Sequence, residues 1–387
     1  MVPVSYSFGR FLRMICCCAM ATVLLLTGAS CAFASSDGTS LVPISRDGKY
    51  GFANRSGEVV IPCEWDYATA FHEGRALVMN AESLCGFLDP NGQLVIPCQW
   101  LDADEFINGL APAENAAGDY GMINPAGELV IPCQWNDFGA YSDSPYFLNG
   151  LMPVENNENL WGYINEEGTL VIPCQWKSAQ PFSDGLAMVQ NSEGYYGFID
   201  TTGQLVIPCQ WPDAFPFTEG LAMVVGPEFK CGYLDTTGTL VIPCQWESAL
   251  PFSEGLAEVT ADGEKWGFIN TSGESVIPCD YLYTGGFVNG LAAVQNQEGN
   301  YGFINPQGQE VIPCEWKDAH PFSDELALVR NQDKQYGYIN RDGQLTIPCQ
   351  WDKAEPFRNG TAEVKKDGIW YYINTAGEII IRKYDDK

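Results

Sequence analysis

The chain alternates short apolar runs with polar turns that carry glycine, and the spacing of those runs is fixed. In Trp266-Gly267-Phe268-Ile269-Asn270-Thr271-Ser272-Gly273-Glu274-Ser275-Val276-Ile277-Pro278-Cys279, an aromatic-rich run leads through Asn, small residues and Gly into a β-branched run. That order predicts a hairpin, with the glycine taking the positive φ of a tight turn. The proline has no amide hydrogen, so it predicts the end of the second strand or an unpaired edge position. A polar connection then ends in Pro-Phe, as at Pro181-Phe182, Pro216-Phe217, Pro251-Phe252, Pro321-Phe322 and Pro356-Phe357. A Ser/Thr-acid-Gly turn and a short apolar strand such as Leu186-Ala187-Met188-Val189 complete the unit, which therefore reads as three strands. The connection Lys177-Ser178-Ala179-Gln180 holds at most one helical turn, being too short for a helix on its own. No segment keeps a 3.6-residue period over eleven residues or more, so helical repeats are excluded.

The unit recurs about ten times. Cys63, Cys98, Cys133, Cys174, Cys209, Cys244, Cys279, Cys314 and Cys349 each follow Ile-Pro, and they are 35 residues apart except for one step of 41. A fixed period in this range marks an array whose units bury their apolar faces against their neighbours. The expected fold is all-β, an open twisted array of about ten 35-residue modules. A closed propeller-like ring is the alternative, because the ends are out of phase. Leu41-Val42-Pro43-Ile44 resembles a third strand without its first two, and Trp370 to Tyr384 supplies two strands without a third. Two such fragments joined in one blade would close a ring. Ten units exceed the usual four to eight blades, which favours the open form.

Aromatic residues hold two repeat slots. Trp65, Trp100, Trp135, Trp176, Trp211, Trp246, Trp316 and Trp351 follow the Ile-Pro-Cys block, and Tyr281 stands in for a ninth. Trp161, Trp266 and Trp370 open the first strand, where Tyr50, Tyr120, Tyr196, Tyr301 and Tyr336 stand elsewhere and Cys85 and Cys231 take two further places. Rings of this size contribute burial before recognition. The 41-residue step places a six-residue insertion within residues 136–146, and insertions in repeats fall on one face, frequently the binding face. Tyr141 and Tyr146 are the ligand contacts it suggests.

The unit resembles the WG-type repeats, also called KWG repeats. The resemblance rests on Trp161-Gly162-Tyr163-Ile164-Asn165, Val171-Ile172-Pro173, Trp176 and Pro181-Phe182-Ser183-Asp184-Gly185-Leu186-Ala187, and it covers residues 41–384. Cys after the proline departs from the pattern, as does Glu325 where the turn calls for glycine. The resemblance implies a β-rich repeat protein of bacterial type, often exported, with no common enzymatic activity.

Residues 1–34 differ from the rest. Arg10 and Arg13 precede the apolar stretch Met14 to Leu26, and Ala32-Phe33-Ala34 offers small residues for cleavage. This is the layout of a secretory signal. Lipid attachment at Cys31 is the minority alternative, since the leucine usual three residues upstream is missing. Residues 35–40 then form a short linker, 41–384 the array and 385–387 a tail. No later stretch is long or apolar enough to span a bilayer. The net charge is −29, and loss of Arg10 and Arg13 with the leader makes it two units more negative. That field repels nucleic acid and anionic lipid and is compatible with a cationic partner or with weakly associated divalent cations.

Catalytic groups are sparse. His72 and His320 are the only histidines and lie in separate bends. There is no phosphate loop and no His-Glu-x-x-His arrangement, and acids repeated in every unit point to a surface role. Equally spaced cysteines supply neither four converging zinc ligands nor Cα pairs close enough to bridge. Only Cys85 with Cys98 and Cys231 with Cys244 share a hairpin. No cofactor is expected. The sequence thus predicts an exported, non-catalytic binding or scaffold protein of the cell envelope that recognises a protein partner through its repeated surface. Carbohydrate recognition by Trp and Tyr faces is the alternative, and hydrolysis comes last.

Overall fold

The computed structural model describes residues 41–54, 57–139, 146–358 and 360–383. The signal segment 1–34, the linker 35–40, the tail 385–387, Cys31 and Tyr141 lie outside the described residues.

Among those residues the chain forms ten antiparallel sheets, one of three strands and nine of four, each ordered as the chain runs. The seventh shows the pattern: Ser248–Ala249, Leu256–Thr260, Trp266–Asn270 and Ser275–Tyr281. The unit therefore has four strands rather than three. The extra one is the two-residue piece where the sequence suggested a bend. Immediately after Trp246 ends the sixth sheet, the Glu247 amide donates to Thr260 and the Leu250 amide to Glu258, so the connection is captured at once by the next sheet.

The Trp-Gly and Ile-Pro-Cys motifs explain each other. Trp266 pairs with Tyr281 and Phe268 with Ile277, so the outer strand spends two extra residues crossing Gly267. A Cβ on Gly267 would stand 2.4 Å from the Ile277 carbonyl oxygen and 2.6 Å from the Cys279 amide nitrogen. Only glycine lets the Pro-Cys buckle lie this close. The Ser-acid-Gly turns are two-residue hairpins in which both residues have positive φ, as Asp184 (52° in its counterpart Glu254) and Gly255 (79°) illustrate.

Each sheet packs face to face on the next. An aromatic ring from the next-to-last strand of one meets a phenylalanine in the bend of its successor in eight seams, five of them at a Pro-Phe, from Phe52–Phe71 to Tyr338–Phe357, with centroids 4.7–5.0 Å apart. Around them lie clusters spanning two sheets, such as Met188, Phe198 and Ile207 against Ala214, Phe217 and Val224.

The same packing joins the two ends, so the array is a closed ten-bladed β-propeller and not the open twisted array expected from the unit count. Ile44 and Ala53 of the first blade share a cluster with Tyr372 and Ile380 of the tenth. The terminal fragments do not merge into one blade, as the phase had suggested. Val42–Arg46 pairs with Lys49–Ala53 through the tight Asp47-Gly48 turn, and Ile379–Lys383 pairs with Ile369–Asn374. Local hairpins hold each fragment in its own sheet, and closure comes from face packing. An open array would leave two apolar faces in water, and closing the ring buries both.

Candidate interaction surface

The last strand forms one edge of every blade. In the first nine blades its third residue, isoleucine, is buried, while residues before it face solvent. Leu129-Val130, Leu170-Val171, Leu205-Val206 and Leu240-Val241 are exposed pairs in the third to sixth blades. Val60, Leu94, Val276, Val311, Leu345 and Ile379 continue the series in the other six. Polar Ser275, Glu310 and Thr346 interrupt it in the seventh to ninth. The result is an apolar band, richest over blades three to six. The proline of each Ile-Pro-Cys block is exposed beside it, where its missing amide blunts the edge against pairing with other strands. Sequence reasoning overlooked this band because Leu-Val-Ile reads as a buried strand. The proline that follows it had already pointed to an edge position, though not to which residues beside it are exposed.

The repeat aromatics are elsewhere. The eight tryptophans of the Ile-Pro-Cys slot lie in the seams, none among the strongly exposed side chains. Trp65, Trp176, Trp211 and Trp246 pack on the clusters of their own and the following blade. Their indole Nε1–H groups, with those of Trp100, Trp135, Trp316 and Trp351, are buried without an acceptor, so packing and not polar recognition places these rings. Tyr281 fills the same position. Exposed rings do occur outside the slot, at Tyr67, Tyr195 and Phe229.

Tyr146, the described tyrosine of the insertion, is 4% exposed and packs on Met122, Ile131 and Trp135. Its hydroxyl donates to the Glu105 carbonyl at 2.7 Å. In three other seams a tyrosine of the third strand donates forward to a carbonyl of the following blade, Tyr163 to Gln180, Tyr233 to Leu250 and Tyr338 to Glu355, whereas Tyr146 reaches back to the preceding blade. The insertion thus supplies a ring to the seam where Met122 supplies none.

The nine serial cysteines are half-buried thiols, and Cys85 and Cys231 are buried thiols. Cys85 and Cys98, like Cys231 and Cys244, stand on neighbouring strands of one blade without bridging. Burial pushes Cys85 up to about 11, helped by Asp102 and Cys98. Burial likewise pushes Cys314 up to about 12, with Glu310 adding to it. Such thiols are protonated and poor nucleophiles at neutral pH.

Many of the acids clasp one blade to the next. Glu73 accepts from the Asn108 and Gly109 amides, and Glu254 from those of Asn289 and Gly290. Asp184, Glu219 and Asp324 reach the turn glycines Gly220, Gly255 and Gly360 in the same way. Beside them Ser183, Ser253 and Ser323 donate to Phe217, Phe287 and Phe357 carbonyls. His72 occupies this serine position and contacts the Phe106 carbonyl. Among the described residues no group of three or more His, Cys, Asp or Glu could hold a metal ion, and no helix is long and apolar enough to cross a membrane.

Repeat geometry and sequence agree on kinship. The model for the WG containing repeat matches nine stretches: residues 50–81, 86–115, 120–158, 161–195, 196–225, 232–264, 266–300, 301–334 and 336–370. The chain belongs to the WG-repeat family. Each matched stretch begins on or near the Trp/Tyr-Gly strand and runs through the next blade's turn, so the WG repeat straddles a seam. No curated protein matches the chain. Among solved structures, the computationally designed Ika8 protein is similar at 12% identity and a TM-score of 0.38, covering 70% of this chain and 94% of its own. BamB from Moraxella catarrhalis is similar at 10% identity and 0.36, covering 73% and 96%. The WD40 β propeller domain of Doa1 is similar at 11% identity and 0.27, covering 61% and 90%.

Proposed function

We propose that this WG-repeat propeller is an exported scaffold that binds a protein partner along the apolar band of its long edge strands. The observation that carries the reading is the exposed Leu-Val pair repeated in four consecutive blades. Scattered surface leucines need no explanation, but a recurring apolar row rimmed by polar residues is the usual form of an interaction site. Repetition lets modest contacts add over a long face. The acidic surface around the band favours partners carrying Lys and Arg.

The test compares wild type with V171E/V206E/V241E in a pull-down from envelope and extracellular fractions. All three side chains face solvent, so the fold tolerates the change. A partner held by wild type and lost by the variant supports the reading; equal retention by both overturns it. Carbohydrate recognition is a second reading, favoured by the exposed rings of Tyr67, Tyr195 and Phe229. A glycan array hit abolished by Y195A would support it in place of the first. Export is checked by the mature N-terminus: cleavage after Ala34 supports secretion, and a lipid-modified Cys31 would replace it with an anchored form.

A further inference from the structure

One seam of the ring differs from the others in chemistry. Glu258 sits in the second strand of the seventh blade, at the position of Met188, Met223 and Leu328, and is 5% exposed. Thr284 faces it from the short strand of the eighth blade, where Ala179, Ala214, Ala249 and Ala319 stand in other blades, and is 6% exposed. Two apolar positions that oppose each other have therefore become polar together, and only here among the described blades. Glu258 Oε1 and Thr284 Oγ1 are both buried and face each other, with no hydrogen bond to any group outside the pair. The surrounding seam is Leu256, Phe268, Ile277 and Phe287.

We propose that the seam between the seventh and eighth blades is a proton-operated joint, closed while Glu258 holds its proton and loosened when it gives the proton to water. A carboxylate in an apolar seam without a cationic partner is strongly disfavoured, so the group keeps its proton instead. The neutral acid has an O–H to donate and Thr284 Oγ1 has lone pairs to accept it. The Thr284 hydroxyl can instead donate to the ionised acid, so both forms keep this contact, and what loosens the seam is the charge itself, left among Leu256, Phe268, Ile277 and Phe287 with no cation beside it. The phenols of Tyr233, from the preceding blade, and Tyr283, beside Thr284, are the other titratable groups that feel Glu258, and both are neutral throughout the range concerned. No Lys, Arg or His acts on it. Burial pushes its carboxyl up to about 7, against the opposing influence of the Thr284 hydroxyl. The entry to the eighth blade is also built to yield. Gly285-Gly286 replaces Leu250-Pro251 and Gln180-Pro181 of other blades, trading a fixed φ for the widest backbone freedom. A Cβ on Gly286 would meet nothing within 4 Å.

The experiment uses the full array, as wild type, E258M and E258Q. Methionine fills this slot at Met188 and Met223, and glutamine keeps a neutral donor, so at least one variant folds. Infrared difference spectra from pH 5.5 to 8.5 should show a protonated-carboxyl band in wild type that disappears with rising pH and is missing from both variants. Hydrogen exchange, corrected for its intrinsic pH dependence, should accelerate about tenfold or more in peptides covering residues 256–260 and 283–295 of wild type over that range. Both variants should exchange at one corrected rate. A band that does not titrate, the same acceleration in the variants, or acceleration spread evenly over all blades would overturn the proposal.

Discussion

Gly57 of the first blade stands against Ile380 of the tenth: a Cβ on the glycine would lie 3.7 Å from the Ile380 carbonyl oxygen. Gly92 meets Ile61, Gly203 meets Ile172 and Gly377 meets Ile347 in the interior seams at 3.1–3.2 Å. The closing seam therefore also sets this turn against the neighbouring blade's last strand, touching its backbone where the interior turns touch an isoleucine side chain, and requires no special locking strand. A ring closed this way depends on a small apolar patch.

Ile44 is 5% exposed within that patch. Aspartate there would bury a carboxylate beside Tyr372 and Ile380, at a cost of roughly 3 kcal/mol or more. I44D should open the seam while the other nine hold. Small-angle scattering should then give a larger radius of gyration, with little loss of strand signal in circular dichroism. An unchanged radius would mean that closure does not rest on this contact.

Much of the blade could be read from the chain. The hairpin at Asn270 to Gly273 and the turn at Ser253 to Gly255 follow from glycine chemistry within a few residues, and both are where the pattern puts them. Closure could not be read this way, because it depends on how far each seam rotates, which Phe52 on Phe71 decides through packing and not through period. The two-residue strands escaped for a similar reason: Ser248–Ala249 is extended only because Thr260 and Glu258 accept its flanking amides. Of the surface, the Leu-Val band was visible as residues but not as exposure. Glu258 went unnoticed as one acid among many, since its burial becomes apparent only when the next blade is laid over it.

The close approach at Gly267 makes a sharp prediction. A methyl group 2.4 Å from the Ile277 carbonyl oxygen and 2.6 Å from the Cys279 amide cannot be relieved by rotating a side chain, because both neighbours are backbone. G267A should cost about 3 kcal/mol or more, measured by urea unfolding. G286A, where no atom stands within 4 Å of the Cβ, should change stability by less than about 1 kcal/mol.

Glu325 should be improvable. It has φ of 63° directly after Asp324 at 50°, in a turn whose counterpart in the neighbouring blades is glycine. A non-glycine residue pays about 1 kcal/mol or more for this conformation. E325G should therefore stabilise the protein by about 1 kcal/mol despite the extra backbone freedom that glycine gives the unfolded chain. Equal or lower stability in urea unfolding would contradict this.

Glu258 gives the stability a pH dependence of defined sign. Its folded value of about 7 lies above the ordinary 4.5, so between the two the folded protein keeps a proton that the unfolded chain has released. Stability from this group is fullest below about pH 4.5, falls as pH rises and levels off above about 7, for a total of order 3 kcal/mol. E258M removes that slope. The difference in Tm between E258M and wild type should grow from pH 5 to pH 8 in favour of the variant, and a constant difference would contradict the assignment.

The thiols should be present, numerous and slow. Cys63, Cys98, Cys133, Cys174, Cys209, Cys244, Cys279, Cys314 and Cys349 all have their ionisation pushed up, with burial the leading cause in each. Their Cα atoms fall one per blade, too far apart for serial bridging if each blade keeps its place. The thiolate is the reactive form, so a raised pKa lowers the rate at pH 7 and makes it climb with pH well beyond the range of an ordinary cysteine. Iodoacetamide at pH 7.5 should modify the native protein slowly. Under denaturing conditions without reductant, all eleven cysteines of the array should react quickly. Mass spectrometry showing four or five disulfides before denaturation, or rapid native labelling of Cys314, would show that these positions are not the buried, protonated fillers that the packing describes.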